Sequence, residues 1–157
     1  MEARDSEAVG RFVERFAGVF VEAGVPPMPS RVFAALLASD AGYLTSAELS
    51  SQLRVSPAAV SGAIRYLTQV HLATRERLPG SRRERYLVQP DLWHDTILNR
   101  DLIVLRWLAA AREGVAVLGP GTPAGDRLAE TVAFLEFIHA ELPALLQRWH
   151  DQRRTSS

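Results

Sequence analysis

A chain of 157 residues, 47% hydrophobic and 23% charged, has the material for one compact domain or one domain with a helical extension. It contains no cysteine, which excludes disulfides, cysteine zinc sites and thiol nucleophiles, and its formal net charge is zero. No run approaches the ~18 apolar residues of a membrane span, and the charged start MEARDSEAVGRFVERF lacks the apolar stretch of a signal peptide, so a cytoplasmic location is expected.

From Ser6 to Glu22, Val9, Phe12, Val13, Phe16, Val19 and Phe20 recur at helical spacing, and Gly24 with Pro26-Pro27 closes that helix. A second helix is expected to start at the cap Ser30, with Val32, Phe33, Leu36 and Leu37 inward, and to stop at Asp40-Ala-Gly42. Tyr43-Leu44 reads as a short extended piece. Thr45-Ser-Ala-Glu48 is a capping box, in which hydroxyl and carboxylate satisfy each other's backbone N–H groups, and it predicts a helix to about Leu53. Arg54-Val55 makes a turn. Ser56 is a good N-cap and Pro57 suits the first helical position, where a missing N–H costs nothing.

The helix that follows runs to about Val70. Val60, Ala63, Ile64, Leu67 and Val70 form its core stripe, and Ala58, Ser61, Gly62, Arg65 and Gln69 lie opposite. Two short capped helices joined by a tight turn predict a helix-turn-helix. Leu72 to Leu78 and Glu84 to Val88 then favour strand, with Pro79-Gly80-Ser81 as turn chemistry and Arg82-Arg83 at the tip. A basic hairpin directly after a helix-turn-helix is a wing.

Pro90-Asp91 opens another helix, roughly Leu92 to Arg112, which carries Trp93, Ile97, Leu102, Leu105 and Leu108. Gly119, Pro120, Gly121 and Pro123 break the chain. A last helical stretch is expected from about Ala124 to His150, kinked or divided at Pro143. Trp93, Trp107, Trp149, Phe134 and Phe137 read as core packing, the alternative being an apolar cavity or a cation cage. The predicted fold is mainly α with a small β-hairpin wing, a winged helix-turn-helix plus a helical dimerisation region. Its parts are an N-terminal helix over 1–26, the winged helix-turn-helix over 27–90 and a C-terminal helical region over 91–157. The first and last are assigned to dimerisation because the apolar stripes from Val9 to Phe20 and Leu128 to Trp149 exceed what one small domain can cover.

Charge is distributed unevenly. From Tyr43 to Pro90 there are seven arginines (54, 65, 75, 77, 82, 83 and 85) against three acids, a balance of +4; the remainder balances at −4. A basic middle between acidic flanks points to one DNA-facing module. On that module, Ala58 and Ala59 suit thymine methyl groups, Ser61 a base or phosphate, and Arg65 guanine or backbone. Gly62 offers close approach, Ser56 stands at the start of the helix, and Arg54 in the turn suits phosphate. Arg82 and Arg83 suit a minor groove or phosphates, with Arg75, Arg77 and Arg85 behind them on the strands.

The histidines are His71, His94, His139 and His150, and each reads as structural or surface. His139-Ala-Glu141 matches the His-x-Glu of zinc deaminases, but that site also needs cysteine ligands. With no metalloprotease, nucleophile-elbow, phosphate-loop or dinucleotide motif, neither catalysis nor a cofactor or metal is expected.

The stretch LTSAELSSQLRVSPAAVSGAIRYLTQVHLATRERLPGSRRERY resembles the core of the MarR superfamily of bacterial regulators. Its short PGSRRERY wing and helical C-terminal half are most similar to the GbsR-like branch. Many superfamily members carry an aspartate and an arginine in a longer wing, where this chain has Gly80-Ser81-Arg82-Arg83. The resemblance implies a homodimer, intertwined through its terminal helices, with one winged helix per protomer on double-stranded DNA. It also implies a small-molecule effector near Phe16, Phe20, Trp93 and Ile97. The expected function is a DNA-binding transcriptional regulator, a local repressor on a pseudo-palindromic operator. The alternative is a winged helix used as a protein-protein scaffold.

Overall fold

The computed structural model describes residues 5–88 and 91–156, with the side chains of 94–102 outside the description. His94, Ile97 and Leu102 therefore lie outside it, as does Pro90. The elements in chain order are α1 (Ser6–Glu22), α2 (Pro27–Ala38), β1 (Tyr43–Thr45), α3 (Ser46–Leu53), α4 (Pro57–Gln69), β2 (Thr74–Arg77), β3 (Glu84–Leu87), α5 (Leu92–Leu118) and α6 (Pro123–Thr155). They divide into two compact units, Met1–Leu92 and Trp93–Ser157.

In the first unit α1 keeps its predicted bounds. The Asp5 carboxylate accepts the N–H groups of Glu7 and Ala8 at its start, and Gly24 at φ +94° follows its end. Helix α2 begins earlier than expected. Ser30 is not its cap: the helix opens at Pro27, and the buried Ser30 hydroxyl donates back to the Pro26 carbonyl at 2.8 Å. Proline at the first position loses no helical bond, so the start falls there.

The core gathers Val13 and Ala17 from α1, Val32, Phe33 and Leu36 from α2, Leu49 and Leu53 from α3, Val60, Ile64 and Leu67 from α4, and Tyr86 from β3. Phe12, Phe16 and Phe20 form an aromatic run along α1 that ends on Phe33, with Phe20 and Phe33 edge to face at 4.9 Å. Arg31 of α2 fastens three helices. It grips the Glu14 carboxylate of α1 at 2.8 and 2.9 Å and donates to the Leu53 carbonyl at the end of α3 at 3.1 Å. That last bond satisfies a terminal carbonyl which the helix itself leaves open.

The extended Tyr43–Thr45 is a full strand. It pairs antiparallel with β3, giving a three-stranded sheet in the order β1-β3-β2.

The second unit holds α5 and α6. Helix α5 continues past the expected Arg112 to Leu118, and α6 is one helix from Pro123 to Thr155 with Pro143 inside it, so the proline does not divide it. Leu108, Ala111, Leu135 and Leu146 are buried, and Arg112 pairs with Glu136 at 2.6 Å. The aromatics expected in the core are not there: Trp107, Phe134, Phe137, Trp149 and Trp93 are each more than half exposed in the single chain. Among the described residues no helix is long and apolar enough to cross a membrane.

Candidate nucleic-acid interface

Local chemistry sets the helix-turn-helix. The Thr45 hydroxyl accepts the Glu48 N–H at 3.3 Å, and the Glu48 carboxylate accepts the Thr45 N–H at 2.7 Å, closing the predicted capping box. Helix α3 ends in a Schellman motif, with Val55 N–H donating to the Ser50 carbonyl at 3.1 Å and Arg54 N–H to Ser51 at 3.4 Å. Arg54 occupies the left-handed position of that motif at φ 55°, ψ 49°, where glycine is the default. Ser56 then caps α4, its hydroxyl accepting the Ala59 N–H at 3.1 Å.

Along α4 the two faces separate as their spacing predicts. Val60, Ala63, Ile64 and Leu67 are buried, Val70 is half-buried, and Ala58, Ser61, Gly62, Arg65 and Gln69 are exposed. Ala59 lies between the two faces and Ser56 is exposed. The outward surface of α4 therefore presents small side chains up to Arg65.

The wing turns through Leu78-Pro79-Gly80-Ser81. Ser81 N–H donates to the Leu78 carbonyl at 3.1 Å, and Gly80 at φ +71° supplies the positive dihedral of a type II turn. Leu78 N–H donates to Arg83 at 3.0 Å, leaving Arg82 and Arg83 exposed beyond the last pairs of the ladder.

Strand register sorts the remaining arginines. Arg75 stands opposite Tyr86 and Arg77 opposite Glu84, so both share the sheet face from which Tyr86 enters the helical core. Arg85 stands opposite Glu76 and Thr45, on the other face. There its guanidinium donates to Glu76 at 2.6 Å and lies over the Tyr43 ring at 4.5 Å. Among the described residues, Arg54, Arg65, Arg75, Arg77, Arg82 and Arg83 make no ion pair. Arg85 does. Sequence reasoning grouped it with the others because strand alternation does not reveal which residue faces it across the sheet.

Of the residues proposed for an effector, Phe16 and Phe20 pack on the core of the first unit, while Trp93 is exposed on the second. An open groove of about 530 Å³ at the start of α1 is lined by Asp5, Val9, Phe12, Leu37 and Asp40, among others. Neither Phe16 nor Phe20 lines it. Among the described residues no group of three His, Asp or Glu is placed to hold a metal ion.

Arg54 yields a test of cost against use. A left-handed backbone costs a non-glycine residue about 1–2 kcal/mol, partly offset by the chain entropy that glycine loses on folding. Arg54→Gly is therefore expected to stabilise the protein by about 0.5–1 kcal/mol, a rise of about 2 °C in Tm. If Arg54 touches a phosphate, the same change flattens the salt dependence of DNA binding by about one unit per protomer. Thermal melts and a salt titration check both; a variant that melts no higher, or binds with the wild-type slope, removes the respective half of the argument.

Residues 23–84 match the family model described as MarR family, and residues 91–152 match that of an MmpR5-like MarR family transcriptional regulator. A solved structure described as a transcriptional regulator is similar over 92% of this chain and 99% of its own, with a TM-score of 0.80 at 24% identity. TrmBL2, an archaeal chromatin protein described as showing a novel mode of DNA binding, is similar over 84% of this chain and 42% of its own. Its TM-score is 0.52 at 18% identity. These structural likenesses concern the fold. Among curated proteins none matches the sequence significantly.

Proposed function

We propose that the chain is a winged-helix transcriptional regulator of the MarR family, whose models match two successive stretches of it, and that it forms a homodimer which sets two copies of α4 and its wing on a pseudo-palindromic operator. The observation that carries DNA binding is a set of exposed, unpaired arginines around a helix face of small side chains. Arg54, Arg65, Arg75, Arg77, Arg82 and Arg83 supply the charge, and Ala58, Ser61 and Gly62 leave room for a groove wall. With few long polar groups on α4, much of the specificity falls to DNA shape read by the wing.

The second copy is supported by the second unit. Trp107, Phe134, Phe137 and Trp149 are 61%, 62%, 61% and 54% exposed, large aromatics of the kind that an interaction surface covers. Covering them with a second chain buries the aromatics and brings two copies of α4 into one molecule. Within this reading the dimer represses a neighbouring promoter by occupying it and responds to a small molecule, as the family resemblance implies. The GbsR-like placement rests on the short PGSRRERY wing and the helical C-terminal half. No reaction is part of the proposal.

Light scattering at micromolar concentration is expected to give twice 17.3 kDa. Fluorescence anisotropy is expected to show salt-dependent binding to random duplex and tighter binding to a duplex selected from a random pool. A clean monomer would remove the two-fold operator. Binding to neither duplex at low salt would replace DNA recognition with the scaffold role.

A further inference from the structure

The sheet that carries the wing is small. Its strands, Tyr43–Thr45, Thr74–Arg77 and Glu84–Leu87, are three or four residues long, too short for pairing alone to hold a ribbon firmly. One side chain touches all three. From β3, Arg85 Nε donates to Glu76 Oε2 of β2 at 2.6 Å, and Nη2 lies 2.5 Å from the same oxygen. Arg85 Cζ lies 4.5 Å from the centre of the Tyr43 ring on β1. A planar guanidinium can do both at once, giving its edge to a carboxylate and its face to an aromatic ring. The contacts lie on the sheet face opposite Arg75, Arg77 and Tyr86.

We infer that Arg85 is a positioning residue that clamps the hairpin to β1, aiming Arg82 and Arg83, and that it does not itself contact DNA. The inference rests on the winged-helix reading above. Glu76 balances the charge of Arg85 in place, so on the strands the unpaired Arg75 and Arg77 lie on one face of the sheet and the paired Arg85 on the other. Arg85 also keeps only about a quarter of its side-chain surface exposed, against half for Glu76, as befits a side chain lying flat on its neighbours.

A clamp and a phosphate contact respond differently to conservative changes. Lysine keeps the charge and can still reach a phosphate, but it cannot pair edge-on while stacking face-on. Four full-length variants are compared: Arg85→Lys, Arg85→Gln, Tyr43→Leu and Tyr43→Phe. The expected result is that Tyr43→Phe, which keeps the ring, binds the selected duplex like wild type. Tyr43→Leu, Arg85→Lys and Arg85→Gln should weaken binding by about threefold to thirtyfold, with the salt slope unchanged. Amide hydrogen exchange without DNA should show faster exchange over Glu84–Leu87 in those three and not in Tyr43→Phe.

Two results overturn the clamp. The first is Arg85→Lys binding like wild type while Arg85→Gln flattens the salt slope by about one unit per protomer, which makes Arg85 a phosphate contact. The second is wild-type exchange over β3 in Tyr43→Leu and Arg85→Lys. Because exchange is read on the free protein, it judges the clamp even if wild type binds no duplex, an outcome that would overturn only the DNA reading.

Discussion

Replacing Arg82 and Arg83 together with alanine is expected to weaken binding to selected and random duplex alike, by roughly a hundredfold or more at 0.1 M salt. The two residues lie past the last ladder pairs of the hairpin, on a loop closed by the bond from Leu78 N–H to Arg83 and by the type II turn at Pro79-Gly80. Both are exposed. Among the described residues their side chains make no hydrogen bond or ion pair, so the double variant should melt like wild type. Each arginine that meets a phosphate releases about one counterion, so the slope of log affinity against log salt should fall by about two units per protomer. Arg65→Ala is the contrast. From the outward face of α4 a base contact costs ~1–3 kcal/mol on the selected site and leaves random DNA nearly untouched. Anisotropy on both duplexes across a salt series separates the two behaviours. A double variant that binds both duplexes like wild type removes the wing from the interface.

The parts of this interface that were legible in the sequence are those whose geometry is decided within a few residues. Thr45 and Glu48 satisfy each other at the start of a helix, Ser56-Pro57 suits the beginning of one, and Pro79-Gly80 suits one turn type. Where a residue has two local options, sequence alone did not choose. The Ser30 hydroxyl can cap a helix or bond back to a carbonyl, and it does the second because Pro27 is already helical. Helix α5 outran its expected end because nothing between Arg112 and Gly119 stops it. Gly114, which looks like a weak point there, marks close packing: a Cβ at that position would lie 2.6 Å from Leu128 Cδ1 of α6.

What stayed hidden depends on partners far away in the chain. Arg85 looked like its neighbours until the register set it opposite Glu76 and over Tyr43. Phe134, Phe137 and Trp149 follow helical spacing whether their face is covered by their own chain or by another. Periodicity reports that a face is apolar and is silent on what covers it.

Gly62→Glu is expected to make the protein more stable and a much poorer DNA binder at once. Gly62 is exposed on the outward face of α4, and a Cβ built there meets nothing within 4 Å. In the free protein the change is pure gain, about 0.5–1 kcal/mol from helix propensity, read as a higher Tm. On DNA the same position is crowded in the proposed pose. Ala58 lies one turn before it, Ser61 beside it and Arg65 three residues on, so a groove wall that meets Ala58 and Ser61 also meets Gly62. Forcing a longer side chain into a packed contact costs about 1–3 kcal/mol, or roughly five- to 150-fold in each protomer, and a carboxylate among phosphates adds repulsion. Gly62→Ala separates the causes. It should gain similar stability while adding one methyl group, so its loss of affinity measures closeness of approach without charge. Thermal melts and anisotropy on the two proteins supply all four numbers. Should Gly62→Glu bind DNA like wild type, the outward face of α4 does not enter a groove, and recognition must pass to the arginines of the wing.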